Sequence, residues 1–167
     1  GGSGIGRDCA RRFCERGAHV TISGRRMDKL EAVQAELGAQ CEIVQGDVTV
    51  QADRETMLTA ALHHGDGNLH ALVNNAANMY RQPVDGYEED FLKDAFNTNV
   101  VSAMMLSSMA VAPLERTEGA IVFIGSTHTR RAFPGASPYA TTKAALEGLT
   151  KVMAAELGPK KIRTGCI

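Results

Sequence analysis

The sequence predicts an α/β protein built on a doubly wound parallel sheet with helices on both faces, which makes three α/β/α layers. Two observations carry this prediction. Short apolar segments alternate with amphipathic segments along the chain, and a run of glycines leads directly into the first amphipathic segment. Strand, helix, strand units of this length pair their strands in parallel through right-handed crossovers. We therefore expect a single domain over residues 1–167.

The first half of the chain is predicted to form three helices and three strands. Apolar residues at helical spacing indicate the helices, and Leu30, Val33 and Leu37 form one such stripe. Gly17 and Gly38 stand where a helix commonly ends in a left-handed residue. The predicted helices are 5–14, 28–37 and 52–62, and the predicted strands are 18–23, 41–45 and 69–74.

The second half is predicted to form two long helices and two strands. The first of these helices passes through the polar triplet Asn97-Thr98-Asn99, and the second begins at Pro138 and closes before Gly158. The predicted helices are 87–115 and 138–157, and the predicted strands are 120–125 and a segment that begins at 162, with a loop over 126–137. This alternation is typical of the Rossmann architecture.

Both ends of the chain cut through predicted elements. The sequence begins inside the glycine turn and ends on a strand. Because the strand that feeds such a turn normally lies in the middle of the sheet, we expect a fragment without its first strand and its C-terminal part. The strands beside the first strand would then lack a partner.

Composition excludes several classes of function. Hydrophobic residues make up 44% of the chain and charged residues 22%, and the formal net charge is -1. A charge this small gives no field that attracts nucleic acid or acidic lipid. No uninterrupted apolar run approaches the roughly 20 residues of a membrane helix, so we expect no membrane partner and a cytoplasmic location, with an organelle matrix left open.

The cysteines and histidines give no metal or disulfide pattern. The four cysteines lack the spacing of a metal pair or of a disulfide scaffold, and we interpret them as small buried hydrophobic residues. His63, His64 and His70 surround a glycine-containing segment, but their spacing fits no helical ligand pair. We therefore expect no metal site.

The glycine turn is the first candidate binding site. It reads Gly1-Gly2-Ser3-Gly4-Ile5-Gly6 and runs straight into a helix. A pyrophosphate needs backbone without side chains close to the anion and a helix N-terminus directed at it. The turn is therefore a candidate dinucleotide site at Ser3, Gly4, Ile5 and Gly6, although the motif alone also fits a flexible glycine leader.

Arg25 and Arg26 follow the next predicted strand, where a dinucleotide fold usually places an acidic residue on the adenosine 2′-hydroxyl. A carboxylate would repel a 2′-phosphate, whereas a guanidinium group binds one with two parallel hydrogen bonds. The sequence therefore favours NADP over NAD, with Arg25 as the phosphate ligand and Ser3 as a possible second contact. The alternative is that both arginines are solvated charges before a helix.

Tyr139 and Lys143 lie four residues apart at the start of a predicted helix, which brings the phenol and the ammonium to one face. A nearby cation stabilises a phenolate, so such a pair exchanges protons near neutral pH. Ser126 follows a buried strand, and ligands gather at the carboxyl ends of parallel strands. These three residues are the predicted catalytic centre.

Six features in register make the sequence similar to the short-chain dehydrogenase/reductase family, short branch, over essentially its whole length. They are the glycine turn, Asp47-Val48, Asn74-Asn75-Ala76-Ala77, Asn99, Ser126 and Tyr139-x-x-x-Lys143. Ala77 departs from the pattern, because the family has glycine at that position of the turn.

The resemblance implies a role for each matched residue. Tyr139 would be the general acid or base, and Ser126 would hold the substrate oxygen. Lys143 would bind the nicotinamide ribose and tune Tyr139, while Asn99 would anchor a water-linked proton relay beside Lys143. The adenine end of the cofactor would contact the residues Asp47, Val48, Asn75, Ala76 and Ala77.

These observations predict an NADP(H)-dependent oxidoreductase that interconverts a carbonyl and a secondary alcohol of a small molecule. Two alternatives stay open: a non-catalytic dinucleotide sensor or scaffold, and an extended-branch epimerase or dehydratase. His128 and Phe133 are candidates to line the substrate pocket, and Arg130 and Arg131 fit either an anionic substrate or a solvated loop. The resemblance also implies a homodimer or homotetramer that assembles through the two long helices.

Overall fold

A computed structural model describes all 167 residues of the chain, which divide into two compact units, Gly1–Leu69 and His70–Ile167. In both units, helices alternate with strands that pair in parallel, as the sequence predicts. The strands form one sheet in each unit. The prediction of a single domain over the whole chain stays a prediction.

The first unit packs helices against a two-stranded sheet. Strands β1 and β2 run parallel, with Val20 opposite Cys41 and Gly24 opposite Gln45. Its elements in chain order are α1 (Gly4–Cys14), β1 (Val20–Gly24), α2 (Met27–Leu37), β2 (Cys41–Gln45) and α3 (Gln51–His64). Its core is formed by the buried side chains of Ala10, Ile22, Leu30, Val33 and Cys41.

Glycines end the helices of the first unit where the sequence predicts. Gly17, with φ +83°, follows α1, and Gly38, with φ +70°, caps α2. Both values lie in the left-handed region that a residue without Cβ adopts at least cost. Helix α3 runs two residues past the predicted Leu62, so that His64 belongs to a helix end and its Nε2 lies 3.1 Å from the carbonyl oxygen of Gln40.

The second unit has a three-stranded parallel sheet in the order β3, β4, β5. Ala71 of β3 lies opposite Ala120 of β4, which lies opposite Arg163 of β5. The elements are β3 (Ala71–Asn74), α4 (Glu89–Phe96), a π-helical turn (Asn97–Val101), α5 (Ser102–Arg116), β4 (Ala120–Phe123), α6 (Ser137–Leu157) and β5 (Arg163–Cys166). Its largest fully buried side chains include Leu114, Ile121, Phe123, Leu146 and Ile162.

Four strands lie at a sheet edge and have one side without a strand partner. β1 and β2 pair only with each other, and β3 and β5 each pair with β4 alone. Edges of this kind present rows of free backbone N–H and C=O groups.

The π-helical turn joins α4 and α5 into one helical segment, Glu89–Arg116, of 28 residues. By length and composition alone this segment could cross a membrane, and 39% of its most apolar part is buried inside the structure. Such a segment is not expected from the sequence, because polar residues interrupt its apolar run. Three of these polar residues, Asn99, Ser102 and Ser107, are buried inside the unit, as in a helix that packs within a protein.

Candidate active site

The N-terminus of α1 is open to solvent. Ser3 is its N-cap residue, and the Ser3 side chain makes no capping hydrogen bond. Ser3, Gly4 and Ile5 are exposed, whereas Gly6 is buried. Gly4 has φ +53° and open space where a Cβ would be, so this position favours glycine for its backbone conformation. An 11-residue helix without a side-chain cap offers its first N–H groups to an anion.

Arg25 and Asp47 follow the ends of the paired strands β1 and β2. The Nη1 atom of Arg25 lies 3.8 Å from Oδ2 of Asp47, and the Arg25 side chain is 66% exposed. An exposed ion pair at this distance contributes little to stability. The guanidinium group therefore remains available to a stronger anion.

Thr49 holds the Asp47 carboxylate in place. Its backbone N–H donates to Asp47 Oδ1 at 2.9 Å, and its hydroxyl donates to the same oxygen at 2.8 Å. The backbone hydrogen bond, the hydroxyl and the charge of Arg25 together hold the pKa of Asp47 below its ordinary value, against an opposing effect of burial. Asp47 is therefore a fixed anionic acceptor at the end of β2.

Arg54 fixes the backbone beside Asp47, and no motif in the sequence predicts this role. Its Nη1 donates to the carbonyl oxygen of Val48 at 2.7 Å, and the residue is 7% exposed. Helical arginines are usually solvated, so burial of this one could not be expected from its helical position alone. Its Nε is buried without a hydrogen-bond partner.

The loop after β3 contains the predicted cofactor residues of the second unit. Asn75 is half-buried, and Ala76 and Ala77 are exposed. The preceding Asn74 donates from Nδ2 to the hydroxyl of Ser107 on α5 at 3.0 Å. This hydrogen bond ties the end of β3 to α5 and fixes where the loop begins.

Asn99 lies in the π-helical turn and is 1% exposed. Its Oδ1 accepts the backbone N–H of Asn78 at 2.9 Å, and its Nδ2 donates to the carbonyl oxygen of Asn78 and to Thr142 Oγ1, each at 3.0 Å. Both hydrogens of the side-chain amide are therefore engaged. Asn99 connects the loop after β3 to α6, directly beside Lys143.

Tyr80 braces the same loop. Its hydroxyl donates to Asp94 Oδ2 at 2.6 Å and lies 3.1 Å from Thr98 Oγ1, while Asn78 Nδ2 donates to it at 3.4 Å. Burial, and then the Asp94 carboxylate, raises the pKa of Tyr80 above its ordinary value. This network could not be predicted from the sequence, because its members lie on the loop, on α4 and in the π-helical turn and follow no motif.

Tyr139 and Lys143 share one face of α6, as their spacing predicts. The Nζ atom of Lys143 lies 5.7 Å from the centroid of the Tyr139 ring. Lys143 is 3% exposed, and its ammonium donates to the carbonyl oxygen of Ile124 at 2.6 Å. Burial lowers the pKa of Lys143, because the charged form loses its hydration.

Ser126 begins the turn after β4 and contacts His128. The backbone N–H of His128 donates to Ser126 Oγ at 3.1 Å, and His128 Nδ1 lies 3.2 Å from the same oxygen. The His128 ring is stacked on Phe133, with centroids 4.3 Å apart, and meets the Tyr139 ring edge-on at 5.3 Å. His128 thus connects the serine and the tyrosine of the predicted catalytic centre.

The structure divides the predicted site residues between the two units. The second unit brings together Ser126, Tyr139 and Lys143 around His128, with Asn99 beside them through Thr142. No group of three or more histidine, cysteine, aspartate or glutamate side chains in the chain could hold a metal ion. The first unit contains the predicted cofactor residues Ser3, Gly4, Ile5, Gly6, Arg25, Asp47 and Val48, and the second contains Asn75 and Ala76.

Parallel strands that alternate with helices, an open glycine turn and this serine, tyrosine and lysine cluster define the class of Rossmann-like dinucleotide-binding proteins. The family model described as short chain dehydrogenase matches residues 1–167. The chain therefore belongs to the short-chain dehydrogenase/reductase family, a family of NAD(P)-dependent oxidoreductases.

Individual relatives agree with this assignment. Dehydrogenase/reductase SDR family member 4 of Mus musculus is 37% identical over 169 residues, covering 98% of this chain and 60% of the relative. The human dehydrogenase/reductase SDR family member 2, named as mitochondrial, is 32% identical over 168 residues, covering 99% and 60%. The chain thus spans about three fifths of the length of these relatives.

A solved structure confirms the predicted doubly wound α/β fold. The 3-ketoacyl-(acyl-carrier-protein) reductase from Brucella melitensis complexed with NADH superimposes with a TM-score of 0.92 at 28% sequence identity. The alignment covers 99% of this chain and 70% of that structure.

Proposed function

We propose that the full-length protein is an NADP(H)-dependent oxidoreductase that interconverts a carbonyl and a secondary alcohol. The observation that supports this most directly is the cluster in the second unit. The Ser126 hydroxyl and the Tyr139 ring both contact His128, and the Lys143 ammonium lies 5.7 Å from the Tyr139 ring centroid. A hydroxyl donor, a phenol and a buried cation are the groups that carbonyl reduction needs.

Tyr139 is the proposed general acid and base. In reduction its phenol gives a proton to the substrate oxygen, and in oxidation it removes the proton of the alcohol. Ser126 donates a hydrogen bond to the same oxygen and stabilises the negative charge that develops there. Lys143, oriented by the Ile124 carbonyl, keeps a positive charge near the phenol, and such a charge stabilises a phenolate.

Asn99 is proposed to anchor a water-linked proton relay beside Lys143. Its hydrogen bond to Thr142 supports this role, because Thr142 directly precedes Lys143 on α6. Its two hydrogen bonds to Asn78 hold the loop after β3 at the same place.

A nicotinamide dinucleotide would supply or accept the hydride when bound. The uncapped N-terminus of α1 fits its pyrophosphate, because the exposed Ser3 and Gly4 leave the first N–H groups accessible. Asp47, held as an anion by Thr49, fits an amine donor such as that of adenine. The proposed cofactor ligands are Ser3, Gly4, Ile5, Gly6, Arg25, Asp47, Val48, Asn75, Ala76, Tyr139 and Lys143.

We propose NADP rather than NAD as the preferred cofactor. Arg25 supports this choice, because its guanidinium group follows β1, is two-thirds exposed and has its carboxylate neighbour at 3.8 Å. A 2′-phosphate offers it a charge-assisted, two-point contact that a ribose hydroxyl does not.

The test of the proposed function is Tyr139→Phe in the full-length protein. NADPH oxidation would be followed with a panel of aldehydes, α-diketones and β-keto esters, and NADPH affinity would be measured by fluorescence titration. We expect turnover to fall by at least about 100-fold, because the proton donor is lost. The affinity for NADPH should change little.

Tyr87→Phe is the matched control, since it removes the same atom from an exposed tyrosine whose hydroxyl contacts Ser137 at the start of α6 and none of the proposed catalytic residues. It should keep wild-type turnover. Equal activity of Tyr139→Phe and wild type would overturn the assignment, and NADPH binding without consumption of any carbonyl would point to a dinucleotide sensor instead.

The cellular compartment is proposed to be the cytoplasm or an organelle matrix. The organelle matrix is included because one human relative is named mitochondrial. Microscopy of the full-length protein with a C-terminal fluorescent tag distinguishes the two compartments.

A further inference from the structure

Ser126 Oγ receives two contacts from a single residue, His128. The backbone N–H of His128 donates to it at 3.1 Å, and the ring Nδ1 lies 3.2 Å away. The other ring nitrogen, Nε2, is buried and has no hydrogen-bond partner. The two nitrogens of the ring therefore differ in what surrounds them.

This difference indicates which of the two nitrogens carries the proton when the His128 ring is neutral. A proton on Nε2 would be a buried N–H without an acceptor, which is costly. A proton on Nδ1 is donated to Ser126 Oγ, so the Nδ1–H tautomer leaves no unpaired donor, and Nε2 is a buried acceptor without a partner. The hydroxyl of Ser126 then accepts two hydrogen bonds, one from the backbone and one from the ring.

A serine oxygen has two lone pairs and one hydrogen. When His128 occupies both lone pairs of Ser126 Oγ, the Ser126 hydroxyl can make a further hydrogen bond only as a donor. Donation to the substrate oxygen is the role that Ser126 has in the proposed function, on which this inference rests. Two ring contacts hold the His128 ring in this orientation. It is stacked on Phe133, with centroids 4.3 Å apart, and makes a T-shaped contact with Tyr139, with centroids 5.3 Å apart.

We propose that His128 is a positioning residue that orients the Ser126 hydroxyl. By donating from its backbone N–H and from Nδ1, it fixes Ser126 Oγ and directs its hydrogen toward the substrate oxygen. His128 exchanges no proton with the substrate. Its effect is on kcat through Ser126 and not on cofactor binding.

The test compares His128→Phe with His128→Asn in the full-length protein, assayed with NADPH and the most active carbonyl of the panel. Phenylalanine keeps an aromatic ring for stacking but has no donor, whereas asparagine places an amide N–H near the position of Nδ1. We expect His128→Phe to lower kcat about fivefold, the effect of one neutral hydrogen bond. His128→Asn should stay within about twofold of wild type.

A double-mutant cycle with Ser126→Ala separates positioning from a general effect on the pocket. Adding His128→Phe to Ser126→Ala should change kcat less than about twofold, because the oxygen that His128 orients is gone. Thr127→Ala, an exposed neighbour in the same turn, is the control and should keep wild-type kcat. Circular dichroism and NADPH affinity verify that each variant is folded.

Two results would overturn the proposal. One is an equal loss from His128→Phe with and without Ser126, and the other is a His128→Asn variant as impaired as His128→Phe. Wild-type turnover in Ser126→Ala and Tyr139→Phe would instead reject the proposed function itself, so the two failures are distinguishable.

Discussion

Lys143 is a proposed catalytic residue, and its buried surroundings disfavour its charged form. The residue is 3% exposed, and its ammonium donates to one backbone carbonyl, that of Ile124, at 2.6 Å. Burial without a nearby carboxylate partner favours the neutral form and lowers the pKa of Lys143 from 10.5. The residue therefore carries a stability cost at the pH where it is charged, which is a common feature of active sites.

The lowered pKa of Lys143 determines how the stability of the protein changes with pH. Between its folded pKa and 10.5 the unfolded chain binds more protons at Lys143 than the folded chain, so this residue makes stability rise with pH. We expect the melting temperature of Lys143→Met, relative to wild type, to fall as the pH rises toward 10.5, because the variant lacks this gain in stability. Calorimetry of both full-length proteins measures it.

Lys151→Met provides the control, since Lys151 lies exposed on the same helix. Its melting temperature relative to wild type should not depend on pH. A Lys143→Met difference that stays constant or grows with pH would contradict the assigned direction.

Arg25 determines the proposed cofactor choice. Arg25→Asp places a carboxylate where a 2′-phosphate would bind, so we expect the ratio of kcat/KM for NADPH to that for NADH to fall by about 10–100-fold. Arg25→Gln removes the charge without adding repulsion and should give a smaller decrease. Steady-state kinetics with both cofactors measure the ratio.

The control for Arg25 is Arg16→Asp, which makes the same charge change at an exposed arginine after α1. The cofactor ratio of this variant should remain that of wild type. If Arg25→Asp also leaves the ratio unchanged, Arg25 is not the phosphate ligand.

At the scale of elements, the end of β4 is packed closely against the end of β5. Gly125 donates its N–H to the carbonyl oxygen of Ile167 at 2.7 Å. A Cβ at Gly125 would lie 2.9 Å from Cys166 Sγ and 3.0 Å from Ile167 O, so the Cys166 side chain would have to move and the Ile167 carbonyl would have to shift slightly. Ser126 follows directly, which makes this contact part of the support of the catalytic turn.

Gly125→Ala should therefore destabilise the full-length protein by about 1–3 kcal/mol and lower kcat. Gly165→Ala is a matched control on β5, because a Cβ there meets nothing within 4 Å. Chemical denaturation compares the two variants. Equal unfolding free energies would show that the contact between the strand ends is not tight.

Most elements could be predicted from the sequence, because apolar residues recur at helical spacing in the helices and form short runs in the strands. Strand β2 is found at the predicted Cys41–Gln45, and α6 differs from its prediction by one residue. The π-helical turn could not be predicted, since it depends on the hydrogen bonds of Asn99 to Asn78 and Thr142, which lie far away in sequence. The polar triplet Asn97-Thr98-Asn99 was the only local sign.

Within the candidate site, motif spacing identified Ser126, Tyr139 and Lys143, which the fold brings together. It did not identify the contact between Ser126 and His128, because that contact depends on the local geometry of the turn after β4. The burial of Arg54 has the same origin, since it depends on the position of the Val48 carbonyl. Sequence spacing thus predicts which residues meet, and tertiary geometry decides how they are oriented.

At the scale of the whole molecule, the long helices carry exposed apolar side chains. Phe96, Val101, Met104, Met105 and Val152 are each more than a third exposed. We propose that a second copy of the chain covers them in a homodimer or homotetramer, as the family resemblance implies. Large exposed apolar patches typically mark such interfaces.

The oligomer prediction is tested with Met104→Glu combined with Val152→Glu. A charge on each helix should shift the full-length protein toward a monomer in light scattering after size exclusion, because burial of an unpaired carboxylate is costly. Lys93→Glu, a charge change at an exposed site on α4, should leave the mass unchanged. Recovery of the wild-type protein in the membrane fraction would contradict this and favour a lipid-facing helix.

The π-helical turn over Asn97–Val101 holds one residue more than a regular α-helical turn would. Deleting one residue inside this turn would convert it to α-helix and keep α5 nearly in phase with α4. Deleting one residue at the start of α5 would instead rotate the rest of that helix by about 100°, and Ser107 and Leu114 would leave the interior together. The fold should therefore tolerate a deletion within the turn better than a deletion within α5.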